Sequence, residues 1–97
     1  MTFVIVAYDI SDDYKRDLAA RTLLSMGFQR VQRSVYVARG GSGFARQVAA
    51  ALRRVIDWET DRVDIIVVPD YAWLGRLTLG EGLNIPGVKK QQGVTVV

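Results

Sequence analysis

Residues 1–9 read Met-Thr-Phe-Val-Ile-Val-Ala-Tyr-Asp, and this stretch decides how the rest of the chain is arranged. The run is apolar until the Tyr8-Asp9 pair, which predicts a β-strand from about Phe3 to Tyr8. A strand with so little polar content belongs in the middle of a sheet. Its carboxyl end opens toward loops, where folds place binding and catalytic residues. Asp9 is therefore the first candidate for function.

A helix is predicted directly after this strand. Ser11 is a suitable N-cap, and Asp12 and Asp13 would then lie in the first turn, where negative charge suits the helix dipole. The helix is expected to run to about Met26, and Gly27 supplies a left-handed C-terminal stop. The residues that this helix is expected to bury are Ala20, Leu23 and Leu24.

Residues 28–38 are expected to be extended, because two kinds of side chain alternate along them. Three valines fall on one side: Val31, Val35 and Val37. Larger or polar side chains fall on the other: Arg30, Gln32, Ser34 and Tyr36. The length allows either one long bent strand or two short strands broken near Gln32-Arg33, and the pattern leaves both open.

The second half of the chain begins with a glycine-rich turn at residues 40–43. A second helix follows, with apolar residues at helical spacing: Phe44, Val48, Ala51, Leu52 and Val55. Residues 63–68 form another apolar strand, which Pro69 ends. Beyond Pro69 the period weakens, so that residues 80–93 resemble a loop and residues 93–97 a short tail strand.

This order of elements, β-α-β(β)-α-β and a tail strand, predicts an α+β fold in which two helices cover one face of a mostly antiparallel sheet. The face that carries Arg30, Ser34 and Tyr36 would then be left for solvent or a partner. An apolar tail strand on a small chain favours pairing with a neighbouring subunit, so a homodimer is expected. Residues 1–97 are expected to form one domain.

Composition restricts the chemistry. The 97 residues include no cysteine and no histidine, which excludes disulfides, thiol nucleophiles and the usual general base. No apolar run approaches the length of a transmembrane helix, and a soluble cytoplasmic protein is expected. The net charge is only +3, but residues 18–56 contain no acid and seven arginines, a segregation that favours binding to the phosphates of a polyanion. These are Arg21, Arg30, Arg33, Arg39, Arg46, Arg53 and Arg54.

The Tyr8-Asp9 pair has more than one interpretation. Asp9 either begins the turn and helps Ser11 to cap the helix, or it is a ligand of Mg²⁺. Magnesium keeps several waters and needs only one or two carboxylates plus substrate phosphate, and a two-fold dimer could bring two copies of Asp9 toward one ion. Such an ion would activate water without a histidine. Tyr8 and Tyr36 are either half-buried aromatics of the sheet or residues that stack a base or orient a phosphate.

Two motifs stand out in the first half of the chain. The first is Val6-Ala7-Tyr8-Asp9-Ile10-Ser11-Asp12-Asp13, followed by Arg16, and the second is Gly27-Phe28-Gln29-Arg30-Val31-Gln32-Arg33-Ser34-Val35-Tyr36. In this order and at this separation, they resemble the CRISPR-associated protein 2 family. Chain length and element order agree with the resemblance, which is strongest over residues 1–38. Many members carry a second basic residue where this chain has Leu18, and the common Phe of the second motif is Tyr36 here.

The resemblance implies a ferredoxin-like βαββαβ fold with an extra C-terminal strand. It also implies a homodimer in which the extension at residues 70–97 completes the partner's sheet. Asp9 would be the ligand of a Mg²⁺ cofactor near the dimer axis. The active-site residues implied by motif position are Tyr8, Asp9, Arg16, Arg30 and Tyr36. The residues expected to contact nucleic acid are Arg16, Arg30 and Arg33.

Three functions are compatible with these observations. The first is a CRISPR adaptation subunit that binds nucleic acid and bridges the spacer integrase, with scaffolding as its main role and Mg²⁺-dependent cleavage of single-stranded RNA or duplex DNA as a secondary one. The second is a toxin-like endoribonuclease, an mRNA interferase on the same fold. The third is a non-enzymatic regulatory module that binds a small ligand. The third leaves the arginine tract and the Tyr8-Asp9 pair unexplained and ranks last.

Overall fold

The computed structural model describes residues 1–80 and 94–96. The elements, in chain order, are β1 (Thr2–Asp9), α1 (Asp13–Ser25), β2 (Gln29–Gln32), β3 (Val35–Arg39), α2 (Ser42–Arg53), β4 (Arg62–Pro69), α3 (Asp70–Leu74), β5 (Leu77–Leu79) and β6 (Val94–Val96). The first six elements follow the βαββαβ order of a ferredoxin-like fold, so the predicted α+β class is confirmed. No helix among the described residues is long and apolar enough to cross a membrane.

β1 is a central strand, as its apolar sequence predicted. The main sheet has the order β2-β3-β1-β4, and β1 pairs antiparallel with both β3 and β4. Ile5, for example, lies opposite Val37 of β3 and Ile66 of β4. Because β1 is paired along both edges and packed on both faces, its apolar side chains up to Tyr8 are largely removed from solvent.

Helices α1 and α2 cover one face of this sheet, and Tyr36 lies on that face. Tyr36 is opposite Val6 in the β1–β3 register, and both belong to the core beneath the helices. That core contains Val4, Val6, Tyr8, Ile10, Ala19, Leu23, Phe28, Tyr36, Ala38, Val48 and Leu52. The predicted alternation is right for Arg30 and Tyr36, which lie opposite each other, but an irregularity between Arg30 and Gln32 places Gln32 opposite Val35. The prediction that Tyr36 faces solvent or a partner was wrong. It failed because the valines pack against Trp73 of α3 on one face of the sheet, while α1 and α2 cover the other face, where Tyr36 lies.

The opposite face of the sheet carries a second, smaller core. Phe3, Val31 and Val37 pack there against Trp73 of α3, and the rings of Phe3 and Trp73 have centroids 6.1 Å apart. Ile66 lies on the same face, opposite Ile5, and is 47% exposed. This face is therefore apolar but only partly covered within the described residues.

The ends of α1 differ in detail from the prediction. The N-cap is Asp12, whose carboxylate accepts a hydrogen bond of 2.8 Å from the Lys15 amide, so the assignment of Ser11 as the cap was wrong. Gly27 has φ +93°, which confirms the predicted left-handed stop. Leu23 is buried as predicted, whereas Leu24 is 52% exposed. Adjacent helical positions are rotated by about 100°, so the helix places Ala19 beside Leu23 instead.

Residues 28–38 form two strands, and a turn at residues 33–34 separates them. The second helix begins at Ser42, inside the glycine-rich segment that was predicted as a turn. Beyond Pro69 the chain forms α3 and β5, which the sequence did not predict. β6 confirms the predicted tail strand and pairs antiparallel with β5 of the same chain. The loop prediction for residues 81–93 lies outside the described residues, and pairing of the extension with a partner subunit stays a prediction.

Candidate functional site

The residues that the sequence singled out lie around one groove at the carboxyl end of β1. This groove, called here the β1 groove, has a volume of about 690 Å³. Its lining residues are Tyr8, Asp9, Ile10, Asp13, Arg16, Asp17, Ala20, Arg30, Arg33, Ser34 and Tyr36. All six predicted active-site and nucleic-acid residues are therefore brought together, although they come from β1, α1, β2, the β2–β3 turn and β3.

Asp9 is the last residue of β1 and is exposed. It lies opposite Arg62 in the β1–β4 pair. In the part of the chain that the structure describes, no three Asp, Glu, His or Cys side chains are grouped closely enough to hold a metal ion. A single exposed carboxylate suits Mg²⁺ nevertheless, because that ion binds through one or two carboxylates and fills its other positions with water and phosphate oxygens.

Tyr8 and Tyr36 form a stacked pair under the groove. Their ring centroids are 5.8 Å apart, and the Tyr8 hydroxyl donates a hydrogen bond of 3.3 Å to the Tyr36 hydroxyl. Tyr8 is 8% exposed and Tyr36 1%, so both are more buried than predicted, and neither ring offers an open face to a base. Burial, together with the hydrogen bond to Tyr36, raises the pKa of Tyr8 well above its ordinary value, although Arg30 and Arg16 oppose the shift.

Arg16 is committed to the backbone that follows Asp9. Its Nη1 donates hydrogen bonds of 3.0 Å to the Ile10 carbonyl and 3.4 Å to the Ser11 carbonyl. Its Nη2 forms an ion pair with Asp13, one turn earlier on α1. The sequence indicated Asp13 only as a helix-start residue, and its contact with Arg16 follows from their three-residue spacing on a helix. Arg16 therefore orders the loop between β1 and α1 as well as lining the groove.

Arg30 and Arg33 are the open cations of the groove. Both are exposed, and neither takes part in the ion pairs found among the described residues. Within residues 1–80 and 94–96, Arg30 donates a single hydrogen bond, of 3.3 Å, from Nε to the Gln32 carbonyl, and Arg33 lies in the β2–β3 turn. Their guanidinium groups are thus available for phosphate oxygens, which they match geometrically.

The rest of the arginine tract is not gathered at this groove. Arg21 pairs with Asp17, Arg39 lies 4.9 Å over the ring of Phe3, and Arg53 lies 5.7 Å from the ring of Trp58. Arg39 is opposite Phe3 in the β1–β3 register, at the other end of β1 from Asp9. The single basic surface suggested by the sequence is therefore divided among several parts of the molecule.

One polar contact to the loop after Asp9 has no counterpart in the sequence motifs. The Ser11 amide donates a hydrogen bond of 3.3 Å to Oδ1 of Asp61, which lies just before β4. The two residues are 50 positions apart, so no local pattern could have joined them. Asp17, which also lines the groove, belongs to neither sequence motif.

The chain is similar to proteins of known family. The sequence model of the family described as CRISPR associated protein Cas2 matches residues 1–74. The chain is 49% identical over 69 residues to the CRISPR-associated endoribonuclease Cas2 of Aeropyrum pernix, which covers 71% of this chain and 75% of that protein. It is 45% identical over 65 residues to the protein of the same name from Thermofilum pendens, covering 67% of this chain and 69% of that one.

Solved structures have the same fold. A hypothetical protein from Thermus thermophilus superimposes with a TM-score of 0.70 at 31% identity, covering 84% of this chain and 94% of that one. The crystal structure of Streptococcus pyogenes Cas2 at pH 6.5 gives a TM-score of 0.66 at 24% identity, covering 80% of this chain and 99% of that one. The first half of the sequence had already indicated this family.

Proposed function

Because the chain belongs to the CRISPR associated protein Cas2 family, we propose that it binds nucleic acid in the β1 groove and cleaves its phosphodiester bonds. Single-stranded RNA is the first substrate class to test, since the relatives from Aeropyrum pernix and Thermofilum pendens are named endoribonucleases. Duplex DNA is the second. The observation that carries the proposal is that an exposed carboxylate, Asp9, and two open cations, Arg30 and Arg33, line the same groove.

Each of these residues has a defined part in the proposal. Arg30 and Arg33 bind phosphate oxygens and hold the backbone of the nucleic acid in the groove. Asp9 would hold Mg²⁺, an ion that needs only one or two protein carboxylates beside water and substrate phosphate. When bound, the ion lowers the pKa of water and offsets phosphate charge, which is chemistry that a protein without histidine needs.

The tyrosine pair supplies a fixed polar group under the groove. The raised pKa of Tyr8 keeps its hydroxyl protonated at neutral pH, so this side chain acts as a hydrogen-bond donor and not as a general base. In the free protein it donates to Tyr36. A phosphate oxygen that reached Tyr8 would compete with Tyr36 for the same proton.

The proposal includes a homodimer. One chain contributes one copy of Asp9, and a second copy supplies the further carboxylate that a shared ion can use. On the apolar face of the sheet, the half-buried Ile5 lies opposite Ile66, which is 47% exposed, and these side chains give a second subunit a surface to pack on. Within CRISPR adaptation, such a dimer would bridge the integrase subunits on duplex DNA. That role needs the cations of the groove but not Asp9. We propose the integrase subunit as the principal protein partner of the dimer.

Cleavage assays with a matched pair of variants test the nuclease proposal. Labelled single-stranded RNA and duplex DNA are incubated with Mg²⁺ or with EDTA, using wild type, Asp9→Asn and Asp70→Asn. Asp70 undergoes the same charge change at the start of α3, beside the other end of β1. Cleavage by wild type and Asp70→Asn that disappears in EDTA and in Asp9→Asn supports the proposal.

Two other outcomes separate its parts. Cleavage retained in Asp9→Asn would remove Asp9 from the reaction. Binding of duplex DNA without cleavage by any protein would overturn the nuclease proposal and leave the scaffold role, whose test is co-elution of the dimer with the integrase subunit.

A further inference from the structure

Asp61 connects the two loops on either side of Asp9. Its Oδ1 accepts the Ser11 amide at 3.3 Å, and its Oδ2 accepts the Asp57 amide at 2.8 Å. Ser11 lies in the loop between β1 and α1, and Asp57 lies in the loop between α2 and β4. One carboxylate therefore ties these loops together with two charge-assisted hydrogen bonds.

The Asp9 side chain and the loop that follows it are held in different ways. Among the hydrogen bonds of the described residues, none is accepted by the Asp9 carboxylate, so no side-chain partner fixes it there. The loop after Asp9 is instead held through its backbone: Arg16 donates to the carbonyls of Ile10 and Ser11, and Asp61 accepts the Ser11 amide. The loop is therefore held by hydrogen bonds on two sides, from Arg16 on α1 and to Asp61 before β4.

Asp61 is held in place by hydrogen bonds within its own loop. The Asp61 amide donates a 2.8 Å hydrogen bond to the Asp57 carbonyl, and Asp57 Oδ1 accepts the Glu59 amide at 3.0 Å. The residue after Asp61, Arg62, is paired with Asp9 in the β1–β4 register. The hydrogen bonds from Asp57 and Ser11 lower the pKa of Asp61, which keeps it an acceptor at neutral pH.

We propose that Asp61 is a positioning residue for Asp9: by accepting the Ser11 amide, it fixes the loop whose first residues set the direction of the Asp9 carboxylate in the β1 groove. This inference rests on the proposed function, since it assigns Asp61 a part in presenting Asp9 to metal and phosphate. It also assigns a function to the acidic loop at residues 57–61, whose negative charge would otherwise only repel a nucleic-acid substrate.

Two alanine variants separate positioning from loop stability. Asp61→Ala removes the three hydrogen bonds that this carboxylate accepts from Ser11, Asp57 and Thr60. Asp57→Ala removes the bond from the Glu59 amide and leaves the Ser11–Asp61 contact in place. Both remove one negative charge from the same loop. The readouts are hydrogen exchange of the Ser11 amide, the ¹³C chemical shift of the Asp9 carboxylate, the thermal midpoint, and kcat and KM for RNA cleavage.

The expected result is specific to Asp61. Exchange of the Ser11 amide should accelerate by about tenfold in Asp61→Ala, because that amide loses a charged acceptor, and stay near the wild-type rate in Asp57→Ala. The Asp9 carboxylate resonance should shift only in Asp61→Ala. In the same variant kcat should fall by about tenfold or more with KM nearly unchanged, because a misdirected carboxylate impairs the reaction more than binding.

Several results would overturn the inference. Unchanged Ser11 exchange and an unchanged Asp9 resonance in Asp61→Ala would show that the contact fixes nothing. Equal losses of kcat in both variants, in step with equal losses of thermal midpoint, would show a purely structural role. If wild type cleaves no nucleic acid, the nuclease proposal fails, and the exchange and resonance measurements still decide whether Asp61 directs Asp9.

Discussion

The Tyr8 hydroxyl donates a hydrogen bond of 3.3 Å to the Tyr36 hydroxyl, between rings that stack with their centroids 5.8 Å apart. The two residues are 28 positions apart, on the central strand and on its neighbour β3. The pair joins the core beneath the helices to the floor of the β1 groove. Its protonation state therefore affects both stability and the polarity of the site.

Stability should fall at alkaline pH, and Tyr8 should cause part of that fall. Its pKa in the fold lies above the value of about 10 for an unfolded chain, so its contribution is fully present below pH 10 and decreases as pH rises above 10. In Tyr8→Phe, the loss of unfolding free energy between pH 8 and pH 11 should be smaller than in wild type. Urea denaturation at the two pH values measures it.

Tyr14→Phe is the control for this experiment. Tyr14 is 69% exposed, so its removal should leave the alkaline loss as it is in wild type. At neutral pH, Tyr8→Phe should cost about 0.5–1.5 kcal/mol for the lost hydrogen bond. An alkaline loss in Tyr8→Phe as large as in wild type would contradict the assignment.

Arg30→Gln/Arg33→Gln should weaken binding of single-stranded nucleic acid and make it less dependent on salt. Each lost phosphate contact reduces the slope of log K against log salt by about 0.7, so the double variant should lose about twice that amount. Fluorescence anisotropy with a labelled oligonucleotide at several salt concentrations gives the slope.

Arg53→Gln/Arg54→Gln is the matched double variant, because it removes the same charge from the end of α2, outside the lining of the β1 groove. It should lower affinity less and leave the slope closer to the wild-type value. A larger loss from this pair than from Arg30 and Arg33 would place the principal contact on α2.

Asp13→Asn should strengthen binding of nucleic acid. The Asp13 carboxylate lines the groove and forms the ion pair with Arg16, so it competes with phosphate for that guanidinium. Exposed pairs of this kind are worth ~0.2–1 kcal/mol, which predicts a gain in affinity of about 1.4- to fivefold at low salt. Asp70→Asn, with the same charge change outside the groove, should gain less. Equal gains would indicate a general charge effect without any competition at Arg16.

The first half of the sequence predicted most of the site, because its information is local. The apolar run of β1 specifies a central strand, and this places Tyr8 and Asp9 at the carboxyl end of that strand. Gly27 marks the end of α1 through a backbone conformation that most residues avoid. The alternation along residues 28–38 then directs Arg30 and Tyr36 to the same side of the sheet. Together these features explain why the predicted residues converge on one groove.

The features that could not be predicted depend on contacts between distant segments. Tyr36 shares its side of this segment with polar residues, so only the tertiary packing decides that Tyr36 faces α1 and α2 while Val37 faces Trp73. The Asp61–Ser11 hydrogen bond spans 50 positions. The short helix α3 has too few residues to show a period of its own.

A final pair of variants tests the face of α1 that packs on the sheet. Leu23 is fully buried in the core beneath the helices, so Leu23→Ala should cost about 2–5 kcal/mol of unfolding free energy through lost burial and the cavity left behind. Leu24 is 52% exposed, so Leu24→Ala should change the free energy by only about 0.5 kcal/mol. Urea denaturation measures both, with unchanged m-values expected. The same substitution at adjacent positions keeps helix propensity constant, so the difference reports burial alone. Equal costs would mean that α1 is rotated toward the position that the sequence suggested, with Leu24 as well as Leu23 in the core, and the direction of Arg16 into the β1 groove would then be wrong as well.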